Sequence, residues 1–185
     1  AGAVLSHGSL EVSDKRKIRL LLMLPMLHQG GFERVAVTTA RLLKDDFDVS
    51  LCIFSDKNIH YDVTGLSIIN LDLPSKKGTP AKVFNALERA VRARRVRQSF
   101  DLCYSFGSTA NLVNYLSGRW DGHCRTVTGM RCGTDLEEPV LFNNIVRGSH
   151  LVISCSKELD WLLQQRTHRT RGVRYLYNPL AAYSE

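Results

Sequence analysis

The sequence predicts an α/β domain built on a doubly wound, mainly parallel, Rossmann-like sheet. Short apolar runs alternate from end to end with longer segments of helical periodicity, which is the pattern of strand–helix units and a parallel sheet. The first run, Ile18–Leu24, is almost unbroken in hydrophobicity, as a strand covered on both faces must be. Glycine, hydroxyl and amide residues follow the apolar runs, which places them at the carboxyl edge of the sheet, where open α/β sheets bind ligands.

The first strand leads into the stretch 25–35, Pro-Met-Leu-His-Gln-Gly-Gly-Phe-Glu-Arg-Val. Beyond it Phe32, Val35, Ala36, Thr39 and Leu43 recur at helical spacing, with Arg34, Thr38 and Arg41 on the opposite side. Gly30 and Gly31 therefore fall at a strand-to-helix corner. No side chain on them shields the first N–H groups of the helix, and those unpaired donors, with the helix dipole, favour a negative group such as a diphosphate. The alternative is a plain tight turn in which glycine supplies backbone freedom.

The first helix is expected to end near Lys44, and 49–54 reads as a second buried strand. Residues 55–65 are polar and irregular, 67–73 alternates as a third strand nearer an edge, and 74–80, rich in Lys and Gly, reads as a loop. A long helix is predicted over 81–98, with Val83, Phe84, Leu87 and Val91 on its inner stripe. Lys82, Arg89, Arg92 and Arg95 mark its other face, joined by Arg94 and Arg97. In this densest positive patch, Arg89, Arg92 and Arg95 form a candidate contact with anionic lipid headgroups. A solvated outer face, whose cationic last turn complements the helix dipole, is the alternative.

A fourth strand, 101–105, ends in the loop 105–111, Ser-Phe-Gly-Ser-Thr-Ala-Asn. Ser108 is placed to cap the helix that carries Leu112, Val113 and Leu116. After a turn at 117–122, a fifth strand over 124–128 is closed by the loop 129–135. Arg131 in that loop suits a phosphate or carboxylate, or pairs with Asp135 or Glu137. The remainder reads as a short helix at 141–146, a strand at Leu151–Ser154, a helix over 157–165 capped by Ser156, and a last strand at 173–176. Asn178-Pro179 reads as an exit from the domain, since proline holds its predecessor extended.

With 185 residues, 44% of them hydrophobic, the chain can bury one ordinary core, so a single domain is expected. Twenty-five Lys and Arg against eighteen Asp and Glu leave a net charge of +7, which favours nucleic acid, acidic lipid or phosphorylated small molecules. Five cysteines without C-x-x-C spacing suggest neither a zinc knuckle nor a disulfide framework. No metal site is expected, and a reducing cytoplasm is the simplest compartment. No apolar run is long enough to cross a bilayer. Residues 1–16 read as a flexible leader or an expression remnant, because their basic residues follow the apolar ones, the reverse of a signal peptide.

Most nucleotide-site signatures are missing. There is no G-x-x-x-x-G-K-[ST], and Gly30-Gly31 lacks the third glycine of G-x-G-x-x-G, although Asp56 after the second strand could hold a ribose. No G-x-S-x-G elbow or H-E-x-x-H pair occurs.

The run Gly30-Gly31-Phe32-Glu33-Arg34-Val35 after the first strand resembles the G-G-x-E-R-V signature of the first domain in family 4 glycosyltransferases of the GT-B fold. The segment 105–111 after the fourth strand and Asn178-Pro179 at the exit agree with that family in order and position. The resemblance implies that 17–179 is the Rossmann-like N-terminal domain, one half of a GT-B architecture, that 180–185 begins the interdomain linker, and that the second domain is absent. It further implies a hexosyltransferase-type enzyme at full length, retaining at the anomeric carbon. Such an enzyme needs no cofactor or metal, takes a nucleotide-sugar as co-substrate, and acts on a glycan or lipid-linked acceptor in cell-envelope polysaccharide synthesis. The cysteine pattern sets the expected place as cytoplasmic and the basic helix adds the inner face of the membrane, and the isolated domain is expected to be inactive.

By that resemblance Gly30 and Gly31 approach the donor diphosphate, Ser105, Ser108, Asn111 and Arg131 position the acceptor, and no residue of this domain is assigned to catalysis. There is one departure. Many relatives carry a histidine in the loop after the fifth strand, where this chain has Gly129-Met130-Arg131; His123 precedes that strand, and His28 lies nearer the Gly-Gly corner. Two other classes stand beside this reading. One is a non-catalytic Rossmann-like module holding an anionic partner, although the chain lacks the basic and aromatic interleaving of single-strand binders and nucleic acid is not expected. The other is an NAD-dependent oxidoreductase domain.

Overall fold

The computed structural model describes residues 16–72, 79–131, 139–169 and 171–179, with the side chains of 79–83 and 139 left aside. The leader up to residue 15, most of the loop expected at 74–80, the partners expected for Arg131 at Asp135 and Glu137, and the linker at 180–185 lie outside the described residues.

Twelve elements alternate along the chain: β1 Ile18–Leu24, α1 Gly31–Leu43, β2 Phe47–Ile53, β3 Ser67–Asn70, α2 Thr79–Arg97, β4 Leu102–Phe106, α3 Ser108–Gly118, β5 Arg125–Met130, α4 Pro139–Gly148, β6 Leu151–Ser154, α5 Lys157–Thr167 and β7 Val173–Tyr175. The strands form one seven-stranded sheet in the order β3-β2-β1-β4-β5-β6-β7, and every described pairing is parallel. This is the doubly wound, Rossmann-like arrangement that the alternation predicts.

Strand alternation sorts the core into two layers. Leu20, Leu22 and Leu24 of β1 point to the face that α1 covers with Val35, Ala36 and Ala40, and Tyr104, Phe106 and Val127 continue that layer. Leu21 and Met23 point the other way, towards Ala93 of α2 and Ala110 and Val113 of α3. Val152 shares a register row with Thr128 and Val173, and on that side it packs with Phe142, Ile145 and Val146 of α4 and Leu159 and Leu163 of α5. Thus α1 covers one face and α2 to α5 the other.

The central strand β1 is buried from Leu21 to Leu24, whereas β3, at the edge, is only partly buried. The thiols of Cys52, Cys103 and Cys124 are buried and unpaired. Burial pushes the Cys103 thiol up to about 11 and that of Cys124 up to about 12, so both behave as apolar core residues.

Element α2 is turned differently from the expectation. Phe84, Leu87 and Val91, read as an inner stripe, are 57%, 44% and 48% exposed, while Ala90, Ala93 and Arg97 are fully buried. Small residues at 90 and 93 let α2 approach the sheet and α3 closely, and the outward stripe is what remains. Arg97, expected on the solvent face, is instead enclosed. It pairs with the buried Asp121 at 3.4 Å, donates to the Cys124 carbonyl at 2.7 Å and the Thr126 hydroxyl at 3.1 Å, and reaches the Asn114 amide oxygen.

Candidate functional site

The strand order reverses between β1 and β4, and the loops leaving their carboxyl ends begin α1 and α3. Two helix N-termini therefore face one crevice, the place where an open α/β sheet binds ligands. The loops touch. The Phe32 ring lies 3.6 Å from where a Cβ on Gly107 would stand, and Gly107 has φ +85°, a conformation that side chains strain to adopt.

At α1 the donors can be accounted for in turn. Gly30 is the N-cap, with an extended φ of −160°. Its N–H donates to the Tyr61 hydroxyl at 3.0 Å, and that hydroxyl donates back to the Gly30 carbonyl at 2.5 Å. The Arg34 N–H also donates to the Gly30 carbonyl, at 3.3 Å, and Glu33 accepts its own backbone N–H through its carboxylate. Of the orphan donors that a helix start leaves, those of Gly31 and Phe32 find no partner among the described residues and are open to a ligand. Of the two predicted diphosphate contacts, Gly31 is exposed and presents its amide, whereas the Gly30 amide is taken by Tyr61.

Glu33 packs against Gly30: its carboxylate lies directly against the Gly30 Cα, where a Cβ would stand. Glu33 is 5% exposed, and its Oε2 finds no hydrogen-bond donor among the described residues. Burial raises its carboxyl above the usual range, opposed in part by its own N–H and by nearby His28.

The predicted acceptor-side residues separate into two groups. Ser105 and Asn111 are buried, 0% and 1% exposed, and spend their hydrogen bonds inside the protein. The Ser105 hydroxyl donates to the Asn111 amide oxygen at 2.8 Å, and Asn111 donates to the Gly129 carbonyl at 2.9 Å. Asn114 completes the network, donating to the Ser105 hydroxyl at 3.0 Å and to the Cys103 and Val127 carbonyls. These residues tie β4, α3 and β5 together behind the crevice. Ser108, by contrast, is exposed at the first position of α3. It does not occupy the cap position assigned to it, which belongs to Gly107, without a side-chain cap; Ser156 does cap α5, accepting the Leu159 N–H.

Arg131 follows β5 at the same edge. Its guanidinium lies 5.0 Å from the centroid of the Phe106 ring and 5.8 Å from that of Tyr104, and it donates to the Tyr104 hydroxyl and the Asn178 amide oxygen. The side chain thereby joins the β5 loop to the exit segment, and part of its fork is already committed. Tyr104 is itself buried, which raises the pKa of its hydroxyl, with the Arg131 charge opposing.

Of the expected lipid-facing arginines, Arg89 is drawn inward over the Phe54 ring at 5.2 Å, where burial lowers its basicity. Arg92 donates to the Leu71 carbonyl at 2.9 Å and pairs with Glu88. Arg94 and Arg95 stay exposed on the outward side, beyond Phe84, Leu87 and Val91. A second basic feature lies at the opposite end of the sheet. It is an open groove lined by Arg16, Lys17, Arg19, Lys44, Phe47 and Asp48, with Asp101 neutralising Arg16 at 2.9 Å.

Glu33 and Tyr61 have no role in the sequence reading beyond motif membership for the first. Tyr61 falls in a polar irregular segment with no periodicity to flag it. Among the described residues no group of three or more His, Cys, Asp or Glu is placed to hold a metal ion, and no helix is long and apolar enough to cross a membrane.

No protein-family profile matches the sequence, and no curated protein is significantly similar to it. Solved structures do match in fold. HepE of Anabaena, solved with UDP and glucose, superposes with a TM-score of 0.67 at 15% identity, over 88% of this chain and 45% of that one. The lipopolysaccharide outer core galactosyltransferase WaaB gives 0.67 at 10% identity, over 90% of this chain and 47% of that one. A UDP-N-acetylglucosamine 2-epimerase from Rickettsia bellii gives 0.66 at 7% identity, over 88% and 45%. The chain thus spans a little under half the length of these structures. Its fold is that of one Rossmann-like half of the GT-B architecture.

Proposed function

We propose that this chain is the N-terminal, acceptor-side domain of a retaining, nucleotide-sugar-dependent glycosyltransferase of family 4, spanning 17–179. The observation that carries the reading is the crevice itself: the N-termini of α1 and α3 meet across Phe32 and Gly107 at the point where the strand order reverses. The Gly31 and Phe32 amides and the α1 dipole supply the positive end for a donor diphosphate, whose charge grows as the sugar leaves. Ser108 offers a hydroxyl to the acceptor, and Ser105, Asn111 and Arg131 hold the loops that frame it. The G-G-x-E-R-V run and the fold shared with HepE and WaaB support the same assignment. By the family resemblance, a second domain supplies the nucleotide site and a pair of glutamates at the donor, so this domain alone does not turn over.

The acceptor is a glycan or lipid-linked molecule of the cell envelope, met at the inner membrane face. The outward stripe of Phe84, Leu87 and Val91, followed by Arg94 and Arg95, supports that placement, because apolar and basic residues on one helix face suit an anionic lipid surface.

The test is the reading frame beyond Glu185 and the activity of the protein it encodes. An α/β domain with an E-x7-E motif, together with release of UDP from a UDP-sugar that falls at least tenfold on Gly31→Val, supports the proposal. A stop codon close behind Glu185, or a full-length protein that binds no nucleotide sugar, overturns it. The groove at Arg16, Lys17, Arg19 and Lys44 favours a second reading, a non-catalytic module for an anionic partner. That reading requires steeply salt-dependent binding that fails when Lys17 and Lys44 become Glu.

A further inference from the structure

The N-terminus of α1 contains an arrangement that a diphosphate contact by itself leaves unexplained. In a capping box, an acid at the third helical position reaches back to the N–H of the N-cap residue. Glu33 holds that position relative to Gly30, yet the Gly30 N–H is bonded to Tyr61 instead. Glu33 falls back on its own N–H through one part of its carboxylate. The other oxygen, Oε2, is buried against Gly30 and has no donor among the described residues. An ionised carboxylate so placed is costly, and it lies against Gly30, the residue that precedes the amides open to an anion.

Two negative groups at one helix start repel each other. A carboxylic acid there, by contrast, can donate to its neighbour. We propose that Glu33 is the proton-carrying wall of an anion seat formed with the Gly31 and Phe32 amides: when an anion binds, Oε2 takes one proton from solvent and donates it as a hydrogen bond to an anion oxygen. One O–H bond forms, one proton leaves solution, and nothing is oxidised or reduced. The ligand class is a phosphate-like dianion or diphosphodiester. The inference rests on the diphosphate reading of the Gly-Gly corner and adds to it a residue that links binding to protonation.

Among the described residues, the charged group acting on Glu33 is His28 on the loop before α1, and the Tyr61 hydroxyl, from the segment after β2, is bonded to the Gly30 backbone at the same corner. The charge of His28 favours the ionised form of Glu33. Burial of Glu33 already moves its carboxyl upward, which brings protonation closer to neutral pH without an anion present.

The probe is inorganic sulfate, which keeps its charge across the relevant pH range, followed through the amide resonances of Gly31 and Phe32 in the 185-residue chain. The expected result is an affinity several-fold tighter at pH 5 than at pH 8. Glu33→Gln, which donates at every pH, should bind tightly at both, and His28→Gln should keep the wild-type dependence. Equal wild-type affinity at the two pH values overturns the proposal, as does a dependence abolished by His28→Gln and kept by Glu33→Gln. Sulfate that perturbs only Lys17 and Lys44 overturns it too. Should Glu33→Gln fail to fold, the carboxyl carbon of Glu33 in the wild-type chain gives the answer: sulfate must raise its titration midpoint, and an unmoved midpoint is fatal. Failure here leaves UDP-sugar turnover by a full-length enzyme untouched. A full-length protein that turns over no nucleotide sugar removes the enzymatic reading even where sulfate binding is proton-linked.

Discussion

Glu33, Gly107 and Arg97 each carry a measurable consequence. Since the Glu33 carboxyl is raised by burial, ionising it opposes folding. The penalty is absent below its ordinary value of 4.5 and grows as pH rises through the raised one. Glu33→Gln should therefore melt higher than the wild type at pH 7, by about 1 kcal/mol, with the difference vanishing near pH 4; a constant difference across pH would contradict it. Gly107→Ala places a side chain at φ +85° against Phe32, and should cost about 1–3 kcal/mol in urea unfolding. Arg97→Met leaves Asp121 buried without its cation and should cost about 3–5 kcal/mol, while the double variant with Asp121→Asn should recover part of the loss. Additive losses in that cycle would show that the pair is uncoupled. At this scale the sequence is least informative. Ser105 reads correctly as a polar residue at the carboxyl edge, but strand alternation points it towards Asn111 and Asn114 rather than outward, and Arg97 reads as surface because its partners lie 17 to 29 residues away.

Helix α2 carries the prediction at the scale of elements. Its outward stripe of Phe84, Leu87 and Val91, with Arg94 and Arg95 beyond, should partition onto vesicles containing anionic lipid. Phe84→Ser combined with Leu87→Ser should weaken partitioning at least tenfold without lowering the melting temperature. Unchanged partitioning would leave that face merely solvated. Arg89→Glu should instead destabilise the fold, because that side chain packs over Phe54. Most elements are legible in the sequence within a few residues. Ile18–Leu24 and Leu151–Ser154 stand where their apolar runs place them, and Ser156 begins its helix as an N-cap should. The rotation of α2 is not legible. A stripe at i, i+3 and i+7 normally marks the inner face, but close approach to α3 selects Ala90 and Ala93, whose small size gives periodicity little weight.

For the whole molecule the question is which end of the sheet meets the ligand. The carboxyl end has the crevice, two helix N-termini and the Gly31 and Phe32 amides; the amino end has the groove of Arg16, Lys17, Arg19 and Lys44. Net charge of +7 suits either. Parallel order makes the carboxyl end the expected site, since helix dipoles direct their positive ends there. The most direct measurement is an amide shift map of the chain titrated with UDP-glucose. The account predicts perturbations at Gly31, Phe32, Gly107 and Ser108, with Lys17 and Lys44 unmoved. Shifts confined to Lys17, Lys44 and their neighbours, or no shifts at any concentration, would contradict it.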